Sequence, residues 1–315
     1  MEYNKPIADF AIGDEVVGYY VLKTAQIRTS ASGKPFLSAS LGDRTGTIDA
    51  KMWDYNAPIS TGDEGGPVKI RGTVTEFRGS PQLLLSRIRA IGEDDHFDTS
   101  RLVPTAPIDV DAAWEELHDF IRDIGDPDYR AIAEYLLKQY GNRVRLVPAG
   151  KSMHHSFVSG LLMHTIYMLR TADYLAGLYT DIVDRDLLLT GTLLHDFAKC
   201  DEFITSPLGL VTEYSVKGQL LGHLVMGAQE AAAAARELGV PEEKSILLQH
   251  MLLSHHGEPA FGAAVRPMCA ESELLSLIDL VDSRMEIYRE TLAETAPGQF
   301  SKRVLALDKK VFRHQ

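Results

Sequence analysis

Residues 187–199 read LLLTGTLLHDFAK, and the pair His195-Asp196 near the end of that run decides how the rest of the chain is read. From Asp186 to Leu194 almost every residue is apolar or small, which marks a helix buried on most sides. Such a helix can carry an imidazole and a carboxylate side by side only if both find partners. Neighbouring helical side chains diverge by about 100°, so the two groups can reach one ion, or two adjacent ions, from a single helix.

The same pattern recurs on both sides. His164 lies in SGLLMHTIYMLRTADYL, His223 in LLGHLVMGAQEAAAAARELG, and His255-His256 close EEKSILLQHMLLSHHG, while Asp279 and Asp282 share a face of LLSLIDLVDSRM. A single His on an apolar face is more often a hydrogen-bonded core residue, and that alternative stays open for His223, His255 and His256 taken singly. For five helices together, a shared metal is the better reading. An all-His/Asp set without thiolate suits Mn, Mg, Fe, Co, Ni or Zn in an open catalytic site. Cys200 and Cys269 stand alone in sequence, which argues against a Cys-type structural zinc site.

His164, His195-Asp196 and Asp279 resemble the H…HD…D signature of the HD-domain phosphohydrolase superfamily, and HDFAK (195–199) is similar to its HD-x-x-K form. KSMHHSFVSGLLMHT (151–165), LLGHLVMG (220–227) and LSHHGEPAFG (253–262) resemble the YhaM-type 3′-to-5′ exoribonucleases, in which an HD domain follows an oligonucleotide-binding (OB) fold. The resemblance implies an α+β chain: an N-terminal OB-fold β-barrel (1–95), a linker (96–110) and an all-α HD domain with a small hairpin (111–315). It implies His164, His195, Asp196 and Asp279 as ligands of one or two divalent ions, Mn or Mg first. His223, His255 and His256 occupy the positions of extra ligands in two-metal HD enzymes; the other reading has them bind phosphate or donate a proton to the leaving group.

Asp196, His223 and Lys199 are the candidate catalytic residues. Lys199, one turn after His195, can offset transition-state charge, or is a surface lysine closing a helix. Lys151, His154 and His155 precede the His164 helix and are candidate phosphate ligands at its N-terminus, with Arg284 a further one. Asp282 either orients a ligand histidine or is a helix-surface charge. One departure from the family pattern is Ser159-Gly160, where Gly-Gly is expected.

The N-terminal part has another character. Between about Asp14 and Ile91, short alternating runs are separated by ASGK, DRTG, STGDEGG and RGS, which gives five strands at hairpin spacing. GKPFLSASLGDRTGTIDAKMWD resembles the core of an OB-fold. Phe36, Trp53 and Phe77 can offer stacking surfaces to unpaired bases, and Arg28, Arg44, Arg71 and Arg78, with Lys34 and Lys51, can track a phosphate backbone. The alternative for each is barrel filling or ordinary solvated surface. The net charge of −12 argues at first against nucleic acid, but residues 1–90 carry 11 Lys+Arg against 10 Asp+Glu, so the acidity belongs to the remainder.

With 315 residues and 45% hydrophobic content the chain can build two cores. No apolar run approaches the ~18 residues of a membrane span, and MEYNKPIADF lacks the features of a signal peptide, so a cytoplasmic protein with no membrane partner is expected. In the helical part, Asp126-Pro127 predicts a cap and first turn, and EFITSPLGLVTEYSVK (202–217) predicts a hairpin. The tail, 297–315, returns to basic amphipathic character.

The expected function is metal-dependent 3′-5′ hydrolysis of single-stranded RNA, with single-stranded DNA as a second substrate, to nucleoside 5′-monophosphates; polarity and RNA preference come from the resemblance alone. A homo-oligomer is compatible with the sequence. The competing readings are an HD phosphohydrolase of a free nucleotide (cyclic dinucleotide, deoxynucleoside triphosphate or alarmone) and a non-catalytic single-strand-binding protein.

Overall fold

The computed structural model describes all residues except 1, 31, 54, 56–58, 93 and 152–154. Two compact units emerge, Met1–Thr105 with Ser206–Leu210, and Ala106–Thr205 with Val211–Gln315.

In the first unit a two-residue strand, β1 (Glu2–Tyr3), runs parallel to β2 (Glu15–Thr29). The remaining strands are β3 (Pro35–Asp43), β4 (Gly46–Met52), β5 (Pro67–Phe77) and β6 (Ser80–Ala90). β2, β3 and β4 form an antiparallel meander, β4 pairs in parallel with β6, β6 pairs antiparallel with β5, and β5 returns to β2. Counted from β2, the order 1-2-3-5-4-1 with one parallel pairing is the closed five-stranded barrel of the OB-fold. The alternation in the sequence sets what lies inside: Leu37, Leu41, Ile48, Ala50, Ile70, Leu83 and Leu85 are all buried, while their strand neighbours face outward.

The second unit is helical. Asp109 caps α1 (Val110–Arg122), and Asp126 caps α2 (Pro127–Tyr140) with Pro127 in the first turn, as the sequence predicts. A short α3 (Asn142–Leu146) leads to α4 (Gly160–Leu178), α5 (Arg185–Leu194) and the single turn α6 (Lys199–Glu202). The predicted hairpin is β7 (Phe203–Thr205) against β8 (Val211–Tyr214). Then come α7 (Val216–Leu238), α8 (Glu242–Ser254) and α9 (Ala270–Glu294). Leu117, Ile132, Leu161, Leu188, Met251 and Leu275 join these helices in one apolar core. Among the described residues no helix is long and apolar enough to cross a membrane.

Two positions bring the ligand-bearing helix ends together. A Cβ on Gly191 of α5 would lie 2.4 Å from Met251 Cε of α8, so the glycine makes room for the Met251 side chain that packs between these two helices. Both helices end at the site: His195 is the C-cap of α5 and His255 that of α8.

At the departure from the family pattern, Ser159 caps α4 with φ 64° and ψ 15°, left-handed, and its side chain makes no capping bond. The left-handed region costs an L-residue about 1–2 kcal/mol, and a glycine's extra backbone entropy offsets part of that. Ser159→Gly is therefore expected to stabilise the protein by about 0.5–1 kcal/mol, read as a higher urea midpoint at unchanged slope. A midpoint at or below that of the parent would show that the serine contributes something its missing capping bond conceals.

Candidate metal centre

His164, His195, Asp196, His223 and His255 are all buried, and they come from α4, the end of α5, α7 and the end of α8. His164 Nε2 lies 3.2 Å from His195 Nε2, 3.7 Å from Asp196 Oδ2 and 3.5 Å from Asp279 Oδ1 of α9. On the other side of the same carboxylate, Asp196 Oδ1 is 3.3 Å from His223 Nε2 and 3.8 Å from His255 Nε2. The His255 and His256 rings are 4.5 Å apart, and His223 and His256 rings 5.3 Å. Ligand atoms within 4.8 Å of one another form the groups His164-His195-Asp196 and His223-His255-His256, with Asp196 between them.

Four of these histidines are turned the same way by what lies behind them. His195 Nδ1 is 2.8 Å from the Thr192 carbonyl and His255 Nδ1 is 2.9 Å from the Leu252 carbonyl. A carbonyl oxygen can only accept, so Nδ1 carries the hydrogen and the Nε2 lone pair faces the centre. His164 donates from Nδ1 to Asp282 Oδ2 at 2.7 Å, and His223 from Nδ1 to Glu202 Oε1 at 3.1 Å. Burial opposes ionisation of both carboxyls, but hydrogen bonds from His155 and His164 hold Asp282 below the usual range, and those from His223 do the same for Glu202.

Burial also opposes ionisation of Asp196, yet the Lys199 ammonium, 2.7 Å from Oδ2, and the neighbouring His195 hold its carboxyl well below the usual range. Burial, with His195 and His256 alongside, pushes the His255 imidazole far down, so it is neutral. His195 goes the other way: burial lowers it, and the Asp196 carboxylate more than compensates.

Among the described residues, four of the buried side-chain atoms that make no hydrogen bond cluster here: Asp196 Oδ1, His223 Nε2, His255 Nε2 and His256 Nδ1. Leaving four polar atoms unpaired in one spot costs more than a fold tolerates without compensation. An ionised carboxylate oxygen and neutral imidazole nitrogens are the donor set of a divalent ion, and the residues present fit one.

The other candidates fall into place less evenly. Lys199 and Asp279 line the same cleft as the cluster. His155 is completely buried, with Nε2 2.8 Å from Asp282 Oδ2, so it sits behind His164. Lys151 is exposed beside Tyr214 of β8, 5.6 Å from its ring centre. Arg284 is exposed on α9, next to the cleft residue Ser283. His154 lies outside the described residues.

On the barrel, strand register puts Arg28 opposite Phe36, and the Phe36 ring 4.8 Å from that of Trp53. Lys51 lies 4.4 Å from the Phe77 ring centre and Arg78 5.3 Å, which makes one outer face of aromatic and basic groups. Arg71, between Val17 and Arg87, and Arg44, in the β3–β4 turn, stand apart from that row.

An HD-domain family model matches residues 161–284. A Bacillus licheniformis protein named 3′-5′ exoribonuclease YhaM is 37% identical over 96% of this chain and 95% of its own length. The chain belongs to the YhaM family. A second YhaM, from Bacillus pumilus, is 35% identical over 98% of this chain and 97% of its own. Among solved structures, the second OB-fold domain of replication protein A from Methanococcus maripaludis aligns with 31% of the chain and all of its own length, at 15% identity and a TM-score of 0.24. As a YhaM-family member with an HD domain, the chain is a divalent-metal-dependent hydrolase.

Glu202 is the functional residue that the sequence does not reveal, since there it marks only the start of the hairpin segment. In sequence it is the second of two adjacent acids, Asp201-Glu202, and only its burial against His223 sets it apart. Replacing the orienting carboxylates tests their role: Asp282→Asn should weaken metal affinity about 10–100-fold with the fold intact, measured as the Mn concentration for half-maximal activity. An unchanged metal requirement would reduce Asp282 to a packing role.

Proposed function

We propose that the chain is a metal-dependent 3′-5′ exoribonuclease that shortens single-stranded RNA to nucleoside 5′-monophosphates. The observation that carries this reading is the set of unpaired buried atoms around Asp196 in a chain of the YhaM family. His164, His195, Asp196 and Asp279 would hold one ion, and Asp196, His223, His255 and His256 a second, with Mn or Mg the first ions to try. When bound, such ions activate water at neutral pH, neutralise charge growing on the phosphoryl oxygens and stabilise the departing 3′-oxygen.

The chain's own groups do the rest. Asp196 stays ionised in a buried setting because Lys199 and His195 stand beside it. Lys199, charged and lining the cleft, adds positive charge where the phosphodiester is drawn in. Asp282 and Glu202 hold His164 and His223 in one tautomer, and His155 holds Asp282. On the barrel, the Arg28-Phe36-Trp53 row and the Lys51-Phe77-Arg78 group suit stacking on bases and pairing with phosphates, which raises the local concentration of RNA at the hydrolase.

The test is purified protein with Mn or Mg and RNA labelled at either end. The 5′-labelled strand should yield a ladder that shortens from the 3′ end, while 3′-labelled RNA releases its label at once as a mononucleotide. RNA left intact with every metal tried would refute the assignment and direct attention to free nucleotides.

A further inference from the structure

The cleft of about 710 Å³ extends beyond the ligand cluster. It runs past Glu258 to Phe261 and Arg266 on one wall and to Leu277 and Leu280 of α9 on the other. Its size is within the range of sites that enclose small organic ligands, and it leaves room beside the metal centre for a nucleotide.

Phe261 ends a turn, Pro259–Phe261, on the loop that leaves His256. The loop is anchored: Ala264 N–H donates to the Leu253 carbonyl of α8 at 3.0 Å, Phe261 N–H to the Glu258 carbonyl at 2.8 Å, and Ala263 is buried. A firmly held turn thus presents Phe261, a residue 72% exposed, in a cleft whose far end is the metal centre. Arg266 is steadied by its Nε, which donates to Glu258 Oε2 at 2.9 Å.

Away from the ions, the cleft's side chains offer phosphate little net attraction, because Glu258, Glu273 and Asp279 face Lys199 and Arg266. Holding an RNA end there needs a contact of another kind. An exonuclease must also accept all four bases in turn, which excludes base-specific hydrogen bonds and favours stacking, since every base has a π-face.

We infer that Phe261 is the stacking platform for the base of the 3′-terminal nucleotide, with Arg266 beside it as a phosphate contact. This rests on the exoribonuclease reading above. Phe261 is a positioning residue, and its effect lies in substrate binding.

Steady-state kinetics on short single-stranded RNAs tests it, with each substrate in a normal form and a form whose 3′-terminal nucleotide is abasic. Phe261→Ala should raise KM about 10-fold on normal RNA with kcat little changed, and should not respond to loss of the base. The parent should show that same rise when the base is absent. Phe261→Trp should restore the parent KM, whereas Phe261→Leu, apolar but without a π-face, should not. Arg266→Ala should reduce the slope of log KM against log salt by about one. A parent KM in Phe261→Ala, or an equal penalty from the abasic end in parent and variant, would overturn the platform while leaving the exoribonuclease standing. A parent that leaves RNA intact with every metal would bring down both.

Discussion

Asp196→Asn should lower the rate of nucleotide release at least about 10³-fold at saturating Mn or Mg. Asp196 stands between two histidine groups, with Oδ2 toward His164 and His195 and Oδ1 toward His223 and His255, so no other residue can take over its place. A metal centre supplies several kcal/mol of transition-state stabilisation, and about 1.4 kcal/mol corresponds to tenfold in rate. Asparagine is the better probe than alanine because it keeps the shape of the side chain and a partner for Lys199, which lies 2.7 Å from Oδ2. Alanine would strand a buried ammonium and confuse a folding defect with a chemical one. The experiment is a single-turnover time course on end-labelled RNA, with circular dichroism to show an intact fold. A residual rate within tenfold of the parent would mean that the hydrolytic centre lies elsewhere.

Gly222→Ala is the second large effect. α7 is two helical segments, and at their junction Gly222 has φ 71° and ψ 159°, a region essentially closed to residues with a Cβ. There is room for the methyl group, whose nearest neighbour would be Glu202 Oε1 at 3.9 Å, so the penalty is one of backbone conformation. The break begins a new segment at His223 and leaves its N–H free of the preceding turn. Glu202 Oε1 accepts that N–H at 3.0 Å as well as the ring Nδ1–H. Alanine would drive the junction toward continuous helix, swing His223 off Glu202 and Asp196, and cost about 1–3 kcal/mol in stability. Activity should fall about 10–100-fold, with a raised metal requirement. Near-parent activity at all metal concentrations would show that His223 is dispensable to the centre.

Much of the site is legible in the sequence because its ligands sit in helices with strong apolar periodicity, where a polar residue on the buried stripe stands out. Leu187–Lys199 alone locates His195, Asp196 and Lys199, and the same logic finds His164, His223, His255 and Asp279. The strand alternation of β3, β4 and β5 likewise gives the barrel. What escapes is whatever depends on where distant chain segments meet. Glu202 looks like a solvent-facing acid until the α7 break brings His223 against it. His155 reads as a phosphate-clasping residue in a polar loop, whereas its burial behind Asp282 depends on α9, 127 residues away. Arg44 and Arg71 are as basic as Arg28, but only the fold shows that they lie off the aromatic row, Arg71 by its strand register and Arg44 by its place in the β3–β4 turn.

The manner in which the histidines are aligned also bears on how the centre comes into being. His195 and His255 are each turned by a carbonyl only three residues back in their own helix. His164 and His223 wait on carboxylates 118 and 21 residues away. The first pair acquires its aim as soon as its helix forms, on the timescale of local structure; the second acquires it only when non-local loops have closed. The centre is thus half prepared early in folding and completed last, and a loosened tertiary fold forfeits His164 and His223 before it loses the aim of His195 and His255.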